Sequence, residues 1–279
     1  MQEKDPQNKS QPNRIPLGSI YSRLVKTLPP TTIDTDAAGL SVGEISYDVK
    51  DEKVRAYFAQ PEGKTDLPIV IVISEIYGVH AHIADICRRW AKLGYLAVAP
   101  DFFGRQGEPM TYTDGELLKN ELIAAVPDEQ VIADLHGAMA WAAANNGNAA
   151  KAAVTGFCWG GRFVWLYCAH NPKVKAGVAW YGKVTFEKDA KRPYHPVDIA
   201  EGLRVPVLGL YGSEDAAIPL ETVELMQDKL ADGRSHSEII IYPGTGHAFN
   251  ADYRPNYVEA DAKDGWRRAV EWLKKNGVS

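Results

Sequence analysis

Apolar positions along the chain change rhythm from tight runs to helical spacing and back, and that alternation predicts the fold. Residues 67–74, Leu-Pro-Ile-Val-Ile-Val-Ile-Ser, form a short β-branched run with no polar face. That is the pattern of a strand covered on both sides. Residues 83–93 then space their apolar side chains for one helical face, and Gly94 marks the stop. The order repeats, with further strands predicted at 95–99, 152–156, 176–181, 205–211 and 237–242. Helices are predicted at 114–125, 128–145, 160–170, 220–230 and 257–276. Ahead of this series, residues 45–57 alternate as a strand pair turning at 50–53. A polar, Pro-containing excursion occupies 182–202. Strand–helix alternation of this kind implies an α/β fold: a largely parallel sheet with helices on both faces. No repeat or linker divides it, so one domain is predicted over 41–279. Residues 1–40, rich in Gln, Asn, Pro and Thr and without a clear period, read as a tail with little structure.

Composition adds mainly exclusions. The 279 residues are 45% hydrophobic and 24% charged, as in ordinary globular chains. The formal net charge is −5 and the basic residues are scattered, which argues against a nucleic-acid or membrane-surface partner. No apolar run approaches the roughly 18 residues that span a bilayer. The opening MQEKDPQNKSQPNRIP lacks the apolar centre of an intact signal peptide. Three cysteines, an odd and low number, suggest a reducing compartment rather than a disulfide framework. A cytoplasmic protein acting on a small molecule is therefore expected, as a monomer or small homo-oligomer.

Chemistry should gather at the carboxyl ends of the strands. The strand at 152–156 runs into Gly156-Phe157-Cys158-Trp159-Gly160-Gly161, a nucleophile elbow with Cys where Ser is usual. A strand turning at once into a helix strains the nucleophile and leaves room only for very small flanking residues. It also sets the thiol at a helix N-terminus, where free N–H groups and the dipole favour a thiolate. Cys87 and Cys168 sit in apolar helical stretches and read as small buried hydrophobes. After the strand at 205–211 comes Gly212-Ser213-Glu214-Asp215, and after 237–242 comes Pro243-Gly244-Thr245-Gly246-His247. Nucleophile, acid and base thus follow three strands in the order of the α/β-hydrolases. His247 would take the thiol proton and Asp215 would orient the imidazole. Glu214 competes for the acid role, and Asp215 is preferred for its shorter side chain.

Together these residues resemble the dienelactone hydrolase (carboxymethylenebutenolidase) family. The likeness is carried by Glu75-Ile76-Tyr77-Gly78-Val79-His80, Ala99-Pro100-Asp101, Gly104-Arg105-Gln106, the Cys158 elbow and Gly246-His247-Ala248-Phe249. The resemblance implies an α/β-hydrolase fold and cleavage of a small ester or lactone through an acyl-enzyme. It implies Cys158, Asp215 and His247 as the triad, and the N–H groups of Ile76 and Trp159 as the oxyanion hole. It also implies that Glu75 touches the resting thiol and helps deprotonate it. Arg105 matches one arginine that holds a substrate carboxylate. The second such position, four residues past His247, is Ala251, and Arg254 is the candidate replacement. Tyr112, Trp180 and Tyr181 are candidate pocket walls.

Two other classes are weighed against this one. His80 and His82 form an H-x-H pair that could begin a metal site, but no third ligand has sensible spacing, so neither metal nor cofactor is expected. A thiol redox sensor or binding module on the same fold would use an activated Cys158. It would have no need of an Asp behind the His.

Overall fold

The computed structural model describes residues 14–279. The predicted strand pair is β1 (Leu40–Val49) and β2 (Glu52–Pro61). The parallel series is β3 (Leu67–Ile73), β4 (Leu96–Pro100), β5 (Gly147–Phe157), β6 (Ala176–Trp180), β7 (Val207–Gly212) and β8 (Glu238–Tyr242). Between them lie α1 (Ala81–Lys92), α2 (Gly115–Leu117), α3 (Asp128–Ala144), α4 (Trp159–His170), α5 (Pro196–Ile199), α6 (Leu220–Ala231) and α7 (Glu259–Lys275).

All eight strands join one sheet in the order β1-β2-β4-β3-β5-β6-β7-β8. Pairing is antiparallel from β1 to β2 and from β2 to β4, and parallel from β4 through β8. The fully buried runs are β4, β6 and β7, as the unbroken apolar stretches require. By contrast, β1 and β8 are the edges and keep half-exposed side chains. Helices α1 and α7 share one face, where Trp90 and Trp266 meet with ring centroids 4.7 Å apart. Helices α3 and α4 pack together on the other. The chain is a single α/β-hydrolase domain with its core on both sides of the sheet.

The helix expected over 114–125 is broken into three pieces. The single turn of α2 passes into a π turn at Leu118–Leu122 and a 3-10 turn at Ile123–Ala125. The wider turn lets Leu118 and Leu122 both reach the core. Residues 1–13 of the expected tail lie outside the described residues. Residues 14–39 contain no helix or strand, yet single hydrogen bonds tie them to the domain. Gly18 N–H donates to Val79 O at 2.8 Å, and Ala81 N–H to Ile20 O at 2.8 Å. Further along, Thr31 Oγ1 donates to Asp252 O at 2.8 Å.

Candidate active site

At the end of β5 the backbone reverses in one residue. Cys158 has φ 53° and ψ −114°, and α4 begins at Trp159. A non-glycine residue held there costs on the order of 1–3 kcal/mol, so the surrounding contacts must impose it. They do so by close approach. A Cβ on Gly160 would lie 2.3 Å from Ile73 O, and one on Gly156 would lie 2.5 Å from Gly160 O. Neither position can hold a side chain, and the result is a half-exposed thiol at the helix N-terminus.

The loops after β7 and β8 are tied to each other, which fixes the partners of that thiol. Glu214 N–H donates to Thr245 O at 2.9 Å, and Gly244 N–H to Ser213 Oγ at 2.9 Å. The Asp215 side chain is buried; its Oδ1 accepts from the N–H groups of Ala217 and Ile218, at 2.8 and 3.2 Å. This leaves Oδ2 for His247 Nδ1 at 2.7 Å, and His247 Nε2 lies 3.2 Å from Cys158 Sγ. Glu214 points to solvent, so Asp215 is the partner of the imidazole.

Burial lowers the affinity of His247 for its proton, but the facing Cys158 thiolate and the Asp215 carboxylate outweigh it. The imidazole is raised from 6.5 to about 10. The His247 imidazole is therefore disposed to hold its proton facing the Cys158 sulfur. Burial pushes the other two thiols, Cys87 and Cys168, well above the ordinary range, so they stay protonated.

A cavity of about 440 Å³ opens above the thiol. Its walls include Tyr77, Phe157, Trp159 and Tyr181, with Lys119, Lys183, Arg192 and Arg254 also lining it. The N–H groups of Ile76 and Trp159 have no acceptor among the described residues, so two donors are free beside Cys158. Arg254 lies 5.8 Å from the centre of the Tyr77 ring and is in no ion pair among the described residues. Such a side chain at an apolar wall can receive an anion.

Three sequence-based assignments do not come to this cavity. Arg105 is held by Asp134 and by Glu52 at 3.2 Å, on the side of α3 and the β1–β2 hairpin. Tyr112 lies outside the lining, and Lys119 of the following π turn reaches in instead. Trp180 is fully buried against Phe157 and Phe249. Its neighbour Tyr181, at φ 38°, takes the wall position.

Glu75 lines the cavity, but its hydrogen bonds do not go to the thiol. Its Oε1 accepts from His80 Nε2 at 2.6 Å and from Tyr253 Oη at 2.8 Å. Burial would raise this carboxyl, yet the charge and hydrogen bond of His80, with help from His82, bring it down to about 2. The second histidine of the H-x-H pair turns elsewhere: His82 Nδ1 is 3.4 Å from Asp252 Oδ1. No cluster of three or more metal-ligating side chains occurs among the described residues. Tyr253 and the role of His80 gave no local sequence signal, because Tyr253 reaches Glu75 across 178 positions of chain.

Comparison with known proteins agrees with the geometry. The model of the dienelactone hydrolase family matches residues 54–277. The chain is 51% identical to a Salmonella typhimurium protein named "Putative carboxymethylenebutenolidase", over 92% of this chain and 96% of that one. It is 49% identical to the protein of the same name from Escherichia coli K12, over 92% and 95%. Among solved structures, a "Putative Dienelactone Hydrolase" from Klebsiella pneumoniae is similar, with TM-score 0.82 and 52% identity. That alignment covers 85% of this chain and 99% of the other.

Proposed function

This chain belongs to the dienelactone hydrolase family and is a carboxylic ester hydrolase, and on that premise we propose that it cleaves a small, carboxylate-bearing ester or lactone through a Cys158–His247–Asp215 triad. The observation that carries the reading is the unbroken chain from Asp215 through His247 to Cys158 beneath two free N–H donors.

The thiolate of Cys158 attacks the acyl carbonyl, and the carbonyl oxygen becomes an oxyanion. The N–H groups of Ile76 and Trp159 receive that charge as it forms. The His247 imidazolium gives its proton to the leaving alkoxide, and an acyl-enzyme remains on Cys158. In a lactone the leaving oxygen stays tethered to the acyl group. Water, deprotonated by His247, then attacks the thioester and frees the acid. Asp215 holds the imidazole in one tautomer and balances its charge through both steps. Arg254 receives the substrate carboxylate in the place of the arginine absent at Ala251.

Freshly reduced protein should hydrolyse cis- or trans-dienelactone, with turnover abolished in Cys158→Ala. Activity retained in that variant would remove Cys158 from the mechanism. An intact triad that turns over only neutral esters would remove Arg254 and the carboxylate from the proposal.

A further inference from the structure

A buried carboxylate at the edge of a thiolate site is an electrostatic hazard. Left unpaired, Glu75 would take up a proton, repel the Cys158 thiolate, or compete with substrate for Arg254. Its surroundings prevent this. Glu75, His80 and Tyr253 are buried, with exposures of 6%, 0% and 1%. His80 stands at the N-cap of α1 but makes no side-chain cap bond, and its Nε2 goes to Glu75 instead.

The His80 ring is surrounded by aromatic rings. Tyr21 from the N-terminal segment, Tyr77, His82 and Tyr253 surround it, with centroids 5.8, 6.0, 6.0 and 5.0 Å away. Behind His82 stand Asp252, Arg89 and Asp85, themselves ion-paired. Towards the cavity stand Arg254, Tyr181, Cys158 and His247. Among these groups, His80 is the charged or chargeable partner that contacts Glu75, with Tyr253 adding a neutral hydroxyl.

We propose that His80 is a positioning residue, which through its Nε2 holds the Glu75 carboxylate against Tyr253 and so keeps it from disturbing the Cys158–His247 pair. The inference rests on the reading of Cys158 as nucleophile. It assigns Glu75 a place beside the thiol without a hydrogen bond to it, and it gives the Tyr21 segment the task of keeping the His80–Glu75 pair dry.

The test is the pH dependence of alkylation of Cys158 by iodoacetamide in the full-length protein, with the modified residue located by peptide mass. Cys87 and Cys168 are buried and leave the readout clean. His80→Ala removes the hydrogen bond that ties Glu75 Oε1 to the N-cap of α1, and the freed carboxylate can approach the thiol. The midpoint should rise by about one pH unit, the scale of one charge several ångströms away. His80→Gln, which can keep the bond, and the double variant His80→Ala/Glu75→Gln should both stay close to wild type. A His80→Ala midpoint that coincides with wild type, in protein of unchanged thermal stability, overturns the proposal. If His80→Ala does not fold, His80→Phe decides in its place, and an unmoved midpoint there is equally fatal. His247→Ala separates the two readings. If it leaves the wild-type midpoint in place, the Cys158–His247 pair fails and this inference goes with it. If it shifts the midpoint and His80→Ala does not, only His80 is wrong.

Discussion

Two histidine–carboxylate pairs each bring one member, His247 and Glu75, to the lining of one cavity, and they are almost the same object. His247 meets Asp215 at 2.7 Å, and His80 meets Glu75 at 2.6 Å. The difference is what the second ring nitrogen finds. In His247 it faces the thiol at 3.2 Å, on a side chain that keeps 23% of its surface exposed. In His80 it faces no hydrogen-bond partner, inside a ring of aromatics with no exposed surface. A proton on His247 has somewhere to go, and a proton on His80 does not. Chemistry follows the third partner, not the pair itself.

Breaking the first pair should have the largest effect. His247→Ala is expected to lower kcat by on the order of 10⁵–10⁶, the scale on which triads behave as a unit. Asp215→Asn should cost about 10⁴, because the imidazole loses its enforced tautomer. Single-turnover kinetics on a neutral p-nitrophenyl ester would measure both. A loss below tenfold in either variant would make the two pairs functionally alike and dissolve the contrast.

The next effect is on titration. The raised value of about 10 for His247 comes chiefly from the thiolate and then from Asp215, working against burial. The imidazolium is therefore kept at neutral pH and lost as pH rises through about 10, which places the basic limb of the kcat/KM profile there. Cys158→Ala removes the thiolate charge and its hydrogen bond, so the His247 titration followed by NMR should fall towards 6.5. A titration unmoved by that substitution would mean that Asp215 alone holds the proton.

The first pair was legible in the sequence and the second was not, for a physical reason. Cys158, Asp215 and His247 each follow a strand end, and parallel sheets gather strand ends at one rim. Residue type, order and the Gly156–Gly160 elbow were enough. The strands themselves were legible from their unbroken apolar runs. Glu75 and His80 lie five residues apart on one loop, where no period marks them as a pair, and Tyr253 reaches them from the far end of the chain. Of the adjacent pair expected at the pocket, Tyr181 reaches it and Trp180 does not: side chains alternate along a strand, and Tyr181 leaves it with a left-handed backbone. The π turn at 118–122 was invisible because its apolar spacing also suits an α-helix.

A smaller effect sharpens the contrast between paired and unpaired cations at the cavity. Arg254 has no acidic partner among the described residues, whereas Arg162 is held by Asp128 at 2.6 Å and Arg192 is also ion-paired. Arg254→Ala should lower kcat/KM for an anionic ester by roughly 10- to 100-fold, as for loss of a hydrogen bond to a charged group. A neutral ester should be hydrolysed almost as before. Equal losses on both would make Arg254 a packing residue over Tyr77.

Arg105→Ala should change turnover least, within about twofold for anionic and neutral esters alike, because its guanidinium faces Asp134 and not the cavity. Its effect belongs to stability instead. Asp134 has no exposed surface, and burial raises it to about 7 although Arg105 opposes the shift. Removing the arginine leaves that carboxyl buried without its cation, a loss of about 3 kcal/mol when it must ionise. The sign with pH follows from the raised value. A carboxyl that ionises near 4 unfolded and near 7 folded weakens the folded state progressively between those pH values. The variant should therefore lose most stability above pH 7 and recover part of it near pH 5, where Asp134 is protonated. Urea unfolding at the two pH values measures this directly. A loss independent of pH would mean that Arg105 stabilises by packing its stem, and the third cation–carboxylate pair would then differ in kind from the other two.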